Sequence, residues 1–243
     1  MKKYFYNLLM TFISVSAFTL FSCGGNDDEE EDVPAGTPKV QSVVGVWENG
    51  NYFISLSDDK FLTAYIGDNF IDNGTYIVSP DNKKITCSNT YYNHITNYDI
   101  TSISDKQLNL DISYTDVFGK DHKKSLNLTK STKIPVSKDN GLVGKSYRYL
   151  TGNFGHVTYT FSSYNIGSKS SEKTGMAKYP LIIHYIYFNG NIYYQEFTSS
   201  SSQVPTIGGW TTGVNAGEII AAQVYFDSAG GIYNIRNVSD TAL

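Results

Sequence analysis

The sequence predicts an all-β chain, in which an antiparallel β-barrel or sandwich is followed by a second β-rich domain. Three observations predict it. Apolar and polar residues alternate along many short segments, and turn residues separate these segments at close spacing. The 243 residues include 20 tyrosines but only 17% charged residues, a composition that favours strands and polar loops over surface helices. Apolar residues also show no convincing helical period.

The N-terminus has the pattern of a signal peptide over residues 1–22. Lys2 and Lys3 precede an uncharged, mostly apolar stretch that ends at Ser22, Cys23 and two glycines. The stretch is just long enough for a transmembrane helix, but its polar residues and the terminal glycines favour a cleaved signal. Residues 20–23, Leu-Phe-Ser-Cys, resemble the lipobox of bacterial lipoproteins. The resemblance implies cleavage before Cys23 and acylation of its sulfur and new amine, and several acyl chains together give stable anchoring to membrane lipid.

Residues 23–39 are expected to form a lipidated, acidic, flexible linker. Six consecutive acidic residues at 27–32 repel one another and cannot pack. This run resembles the acidic segment of surface-exported lipoproteins in Bacteroides-like bacteria, which implies an outer-membrane protein facing the cell exterior. Removal of residues 1–22 leaves 17 basic and 23 acidic residues, a formal charge of −6 that is concentrated in the linker. The remaining chain has no basic patch, which argues against a nucleic-acid partner.

The chain beyond the acidic linker divides into two expected β-domains. Residues 40–130 contain short strand patterns separated by turn signals, including Asp-Asn-Gly at 72–74 and Ser-Pro-Asp-Asn at 79–82. The polar residues 131–141 are interpreted as a linker, and residues 142–243 as the second β-rich domain. The start of the second domain, around Gly144, resembles the start of the first, around Gly45. A weak internal duplication is one interpretation of this short match.

The first β-domain resembles a known family. Gly45-Val46-Trp47 is similar to the Gly-x-Trp opening of lipocalins, and residues 74–76 and 104–108 extend the similarity to the lipocalin-like domains of Bacteroidota lipoproteins. The resemblance implies a barrel that Trp47 closes at one end and whose cavity takes a small apolar ligand. The alternative is a small barrel filled by its own side chains. The second half departs from the pattern, since Tyr147 stands near the position of the Trp.

The second half contains the strongest hairpin signal in the chain. Residues 181–188 and 191–197 flank Asn189-Gly190, a sequence that favours a type I′ turn because both positions need positive φ. Such a turn places one set of cross-strand pairs on a single face: Tyr187 with Ile192, Tyr185 with Tyr194, and Ile183 with Glu196. Both faces are largely apolar or aromatic, so we expect the hairpin to be covered on both sides.

Aromatic residues are the candidates for ligand binding. Tyr185, Tyr187 and Tyr194, together with Trp210 in a glycine-rich loop, could form a platform for sugars or peptides. The alternative is that tyrosine is simply a residue that favours strands and keeps its hydroxyl group in contact with water. Trp210 is the strongest candidate, because a tryptophan in a loop has less reason to lie in a core.

The sequence lacks the usual catalytic and cofactor motifs. None of the four histidines has a second His or Cys at ligand spacing, so no metal site is expected, and no P-loop, dinucleotide fingerprint or nucleophile elbow occurs. Cys87 has no partner if Cys23 is lipidated, and it is interpreted as a small strand residue. The sequence therefore predicts no enzyme and no cofactor, but a non-catalytic binding or accessory lipoprotein with an apolar ligand, a glycan or a protein as partner. The alternatives are a structural adhesin or surface-assembly component, and a glycan hydrolase with unrecognised carboxylates.

Overall fold

A computed structural model of the chain describes residues 41–50, 52–67, 70–89, 94–116, 119–151, 155–172, 181–197 and 219–237. The described residues contain fifteen strands and no helix, which confirms the all-β prediction. All of them belong to one compact unit that begins at Val40. The strands are β1 Gly45–Asn49, β2 Tyr52–Leu56, β3 Phe61–Gly67, β4 Phe70–Val78, β5 Lys84–Asn89, β6 His94–Ile103, β7 Gln107–Thr115, β8 Asp121–Ser131, β9 Ser146–Thr151, β10 Gly155–Phe161, β11 Ile166–Ser171, β12 Leu181–Phe188, β13 Asn191–Phe197, β14 Ile220–Phe226 and β15 Ile232–Asn237.

Strands β1 to β8 form a closed antiparallel barrel. Each strand pairs with the next along the chain, and β8 returns to pair with β1, for example at Val46 and Ser131. The barrel interior follows the expected alternation: in β7, Leu108, Leu110 and Ile112 are buried while the intervening residues are not. The barrel prediction is therefore confirmed.

The barrel interior is occupied by the protein's own side chains. Trp47, Tyr76 and Tyr98 are among the largest fully buried residues, and they pack within one cluster of inward-facing residues from all eight strands. Trp47 lies where the chain enters the barrel, and its indole Nε1 donates a hydrogen bond to the Val43 carbonyl oxygen at 2.7 Å. Eight strands give an interior just wide enough for side chains to fill.

The turn predicted at residues 72–74 is wrong, because these residues lie inside the uninterrupted strand β4. Asp72 and Asn73 are buried and hydrogen-bonded, so they are not solvent-exposed turn residues. Gly74 is needed for packing: a Cβ atom there would overlap the carbonyl oxygen of Ser88 on β5. Glycine inside a strand commonly marks such a close approach of another backbone.

Strands β9 to β15 form a second antiparallel sheet, in which each strand also pairs with the next. This sheet curls until its edge strands approach one another, and the Tyr147 hydroxyl on β9 donates to Asn234 Oδ1 on β15 at 3.3 Å. The predicted hairpin is confirmed in register, since Tyr185 lies opposite Tyr194 and Tyr187 opposite Ile192. Its turn residues have the expected positive φ angles, 48° at Asn189 and 82° at Gly190.

The two sheets pack against each other through the outer face of the β12–β13 hairpin. Phe188 stacks on Phe53 of the barrel with ring centroids 3.9 Å apart, and Tyr193 stacks on Tyr65 at 4.9 Å. The other face of the hairpin lies in the core of the second sheet. The hairpin is therefore covered on both sides, as its two apolar faces predicted.

The connection between the sheets, residues 132–145, packs on both of them. The Val136 amide donates to Ser55 Oγ on the barrel at 2.8 Å. Leu142 is completely buried in the core of the second sheet. Within the predicted linker, residues 131–141, Val136 therefore contacts the barrel, and Asn140 Nδ2 donates to the Tyr164 carbonyl oxygen at 3.1 Å.

Candidate functional site

The inner face of the second sheet is lined by tyrosines from four strands. They are Tyr147 and Tyr149 on β9, Tyr159 on β10, Tyr185 and Tyr187 on β12, and Tyr194 on β13. Their positions follow from strand alternation, because residues two apart share a face. This face therefore contains three of the four ligand-binding candidates that the sequence suggested.

Tyr185 and Tyr194 are completely buried, so neither offers an exposed aromatic face. The Tyr185 hydroxyl donates to the Ser163 carbonyl oxygen at 2.6 Å. Tyr187 is half-buried and meets the Phe226 ring edge-on. These tyrosines could contact a ligand only inside the sheet. Trp210 and the lipidation candidate Cys23 lie outside the described residues.

Polar groups on this inner face converge around Tyr194. The Tyr194 and Tyr159 hydroxyls lie 3.3 Å apart. Lys169 Nζ donates to Glu196 Oε1 at 2.6 Å and lies 5.4 Å from the centre of the Tyr159 ring. Tyr149 is near-parallel to Tyr159, with ring centroids 6.3 Å apart. We call these five residues the tyrosine–ion-pair network: Tyr149, Tyr159, Lys169, Tyr194 and Glu196.

Exposure increases from one side of the network to the other. Tyr194 is 1% exposed and Tyr159 is 5% exposed. The side chains of Glu196 and Lys169 are 12% and 26% exposed, and Tyr149 is half-buried. The network thus has a buried floor and a rim that reaches solvent.

Burial keeps the hydroxyls of Tyr149 and Tyr194 neutral. Burial raises the pKa of Tyr149 to about 12. Burial together with Tyr159 raises the pKa of Tyr194 well above the ordinary value of a tyrosine. Burial alone would lower the pKa of Lys169, but Tyr159 and Glu196 outweigh it and raise that pKa. At neutral pH the Tyr149 and Tyr194 hydroxyls are therefore uncharged, and the Lys169 ammonium is charged.

Sequence reasoning missed Lys169, although one signal pointed to it. The hairpin register placed Glu196 on the same face as Tyr185 and Tyr194, and a carboxylate facing a core needs a partner. The partner comes from β11, whose sequence, Ile-Gly-Ser-Lys-Ser-Ser, has too few apolar residues to show a strand pattern.

The barrel holds a second polar cluster around Asp72, which is completely buried. Its carboxylate accepts hydrogen bonds from the Tyr98 hydroxyl at 2.8 Å and from Asn89 Nδ2 at 3.0 Å. Cys87 is a free, buried thiol beside it, and burial and Asp72 raise the pKa of that thiol well above its usual value. Such a thiol is a poor nucleophile.

A shallow groove of about 550 Å³ lies on the β7–β8 hairpin. One lining residue, His122, places Nε2 2.8 Å from Asp116 Oδ2 and stacks on Tyr114. All the lining residues belong to this hairpin, so the groove is an open surface of one element. Within the described ranges, no three His, Cys, Asp or Glu side chains are grouped so that they could hold a metal ion.

The fold and the site define a two-sheet, barrel-based protein with a tyrosine-rich polar site inside the second sheet. The sequence matches no protein-family model and no curated protein. In the part of the chain that the structure describes, no helix has the length and apolar character required to cross a bilayer.

Proposed function

We propose that this chain is a lipid-anchored, non-catalytic binding module on the exterior of the outer membrane. The signal-peptide pattern, the lipobox-like residues ending at Cys23 and the acidic linker support the anchor and the location. The observation that supports binding is the tyrosine–ion-pair network, which joins a buried polar floor to a partly exposed rim. Binding sites typically combine apolar walls with a few convergent polar groups.

The packing of the barrel favours the second sheet as the recognition element. The side chains that point into the barrel fill its interior, whereas the second sheet holds polar side chains that reach solvent. The barrel then serves as a rigid support, because the β12–β13 hairpin packs on it. A polar ligand, glycan or protein, fits this site better than a small apolar one.

The composition of the network favours binding over hydrolysis. Glycoside hydrolysis by the usual mechanism needs two carboxylates that flank the scissile bond. The network supplies one carboxylate, Glu196, and Lys169 is paired with it.

The proposal has two experimental parts. Cells that express the chain are labelled with a palmitate analogue, and Cys23→Ala should abolish labelling and release the protein from the membrane fraction. Retention of Cys23→Ala in that fraction would contradict the lipid anchor.

Intact cells are then screened against glycans, lipids and proteins. Turnover of a glycan, without any stable binding, would contradict a non-catalytic module.

A structural adhesin is the second candidate function, and the edges of the second sheet favour it. No backbone ladder joins β9 to β15 among the described residues. A strand at the edge of a sheet can pair with a strand of another chain. If cross-linking on intact cells joins β9 or β15 to another surface protein, this candidate replaces the binding module.

A further inference from the structure

We infer that the ligand of the tyrosine–ion-pair network is an uncharged carbohydrate, whose hydroxyl groups are bound by the tyrosine hydroxyls and by the Lys169–Glu196 pair. The inference rests on the proposed function, in which this network is the binding site. Three properties of the network support it: its charge balance, its hydrogen-bonding capacity and its graded burial.

The charge balance argues against a charged ligand. Lys169 Nζ is 2.6 Å from Glu196 Oε1, so each group already has a counter-charge. An anionic ligand would compete with Glu196 for the lysine, and a cationic ligand would compete with Lys169 for the carboxylate. Both would bring an excess charge into a largely buried site, which is costly.

The hydrogen-bonding capacity matches sugar hydroxyls. A tyrosine hydroxyl both donates and accepts, as does each hydroxyl of a sugar, and the ammonium and carboxylate of the ion pair add donors and acceptors. The hydroxyls of Tyr159 and Tyr194 are separated by 3.3 Å, at the long end of the usual range for such bonds. A ligand hydroxyl would replace part of the hydrogen bonding of Tyr159, which also bonds Tyr149 and Lys169.

Graded burial suits a ligand that enters from one side. The rim residues Tyr149 and Lys169 reach solvent, and the floor residue Tyr194 does not. The ring of Tyr149, on the partly exposed side, offers apolar contact to the C–H groups of a sugar, and its hydroxyl can exchange hydrogen bonds with the polar groups of the sugar.

The experiment uses the full-length chain, purified in detergent. It is screened on an array and by calorimetry against uncharged oligosaccharides of glucose, mannose and xylose, against acidic oligosaccharides such as oligogalacturonate, and against peptides. We expect binding of at least one uncharged oligosaccharide. Tyr149→Phe, which removes one hydroxyl, should weaken it about three- to tenfold. The double variant Lys169→Met with Glu196→Gln should weaken it by more than about tenfold.

Matched controls lie on the outer face of the same sheet. Tyr233→Phe removes the hydroxyl of an exposed tyrosine, and Arg148→Met with Glu172→Gln removes an exposed ion pair. Both should leave the affinity unchanged. Thermal unfolding of every variant confirms that the loss of binding is not a loss of fold.

The outcomes separate the inference from the proposed function. If an acidic oligosaccharide or a peptide binds and the network variants weaken that binding, the inference is wrong and the proposed site stands. If a ligand binds and the network variants have no effect, both are wrong. If no uncharged oligosaccharide binds, the inference is overturned.

Discussion

The buried histidine at the contact between the two sheets gives a quantitative prediction. His184 on β12 is completely buried, and its ring is hydrogen-bonded to the Gln195 side chain. Burial lowers the pKa of His184 from 6.5 to about 3, although the hydrogen bond between the ring and Gln195 opposes this shift. The folded protein therefore keeps His184 neutral where an exposed histidine would be protonated.

The sign and size of the effect follow from proton linkage. Below a pH of about 6.5 the unfolded chain gains a proton at this position, and the folded chain gains it only near the lowered pKa. The contribution of His184 to stability is thus complete above a pH of about 6.5 and is lost as the pH falls towards 3. Each pKa unit corresponds to about 1.4 kcal/mol, so at a pH near 4.5 the loss is about 3 kcal/mol.

The assay compares the original chain with His184→Gln by denaturant unfolding at about pH 7, 5.5 and 4.5. Carboxyl groups that titrate in the same range affect both proteins alike. The difference in the free energy of unfolding between the two proteins therefore reports the contribution of His184 alone. We expect the original chain to lose about 3 kcal/mol more than the variant between about pH 7 and 4.5. A difference that stays constant with pH would refute the burial of a neutral His184.

Three further predictions concern packing. Phe188→Ala removes a ring stacked on Phe53 between the sheets and should lower the free energy of unfolding by about 3–5 kcal/mol, measured with denaturant. A loss below about 1 kcal/mol would show that the sheets do not pack as described. Tyr98→Phe removes one donor to the buried Asp72 carboxylate and should cost about 1.5–3 kcal/mol, and an unchanged unfolding midpoint would contradict that hydrogen bond. Gly74→Ala should lower the melting temperature or prevent folding, because its Cβ overlaps β5, and normal stability would contradict the close approach.

One exposed control serves all these substitutions. Leu150 on β9 is 72% exposed, so Leu150→Ala should change the free energy of unfolding by less than about 0.5 kcal/mol. A larger effect would mean that the free energy of unfolding responds to any substitution in the second sheet, whether the side chain is buried or exposed.

The second half of the chain shows what the sequence could and could not predict. The β12–β13 hairpin was predicted with its register, because an Asn-Gly turn fixes the pairing and strong alternation fixes the faces. Strands β10 and β11 were not predicted. The β11 segment is mostly Gly and Ser, and its neighbours in the sheet, not its own sequence, place it in a strand.

The error at Gly74 has a related cause. Asp-Asn-Gly is a turn sequence when it is judged locally, but in β4 each of the three residues has a tertiary role. Asp72 accepts hydrogen bonds inside the barrel, Asn73 Nδ2 donates to the Tyr185 carbonyl oxygen on the second sheet, and Gly74 makes room for β5. Contacts between residues far apart in sequence therefore overrode the local preference.

The candidate site was predictable where it depends on the hairpin and unpredictable where it depends on strands that are distant in the sequence. The hairpin register alone placed Tyr185, Tyr194 and Glu196 on one face. The burial of the tyrosines was not predictable, because it depends on the curl of seven strands around this face. Lys169 came from a strand that the sequence did not reveal.

The most direct test of the account is a ¹⁹F NMR spectrum of the full-length chain with fluorotyrosine in place of tyrosine. Resonances are assigned by Tyr→Phe substitution, and the probe is a mixture of uncharged oligosaccharides. We predict that the Tyr149, Tyr159 and Tyr194 resonances shift on addition of the mixture, while the exposed Tyr233 does not respond. No shift at any tyrosine of the network would contradict the binding of an uncharged carbohydrate there, and shifts confined to Tyr233 would mean that the sugar binds the outer face of the sheet instead.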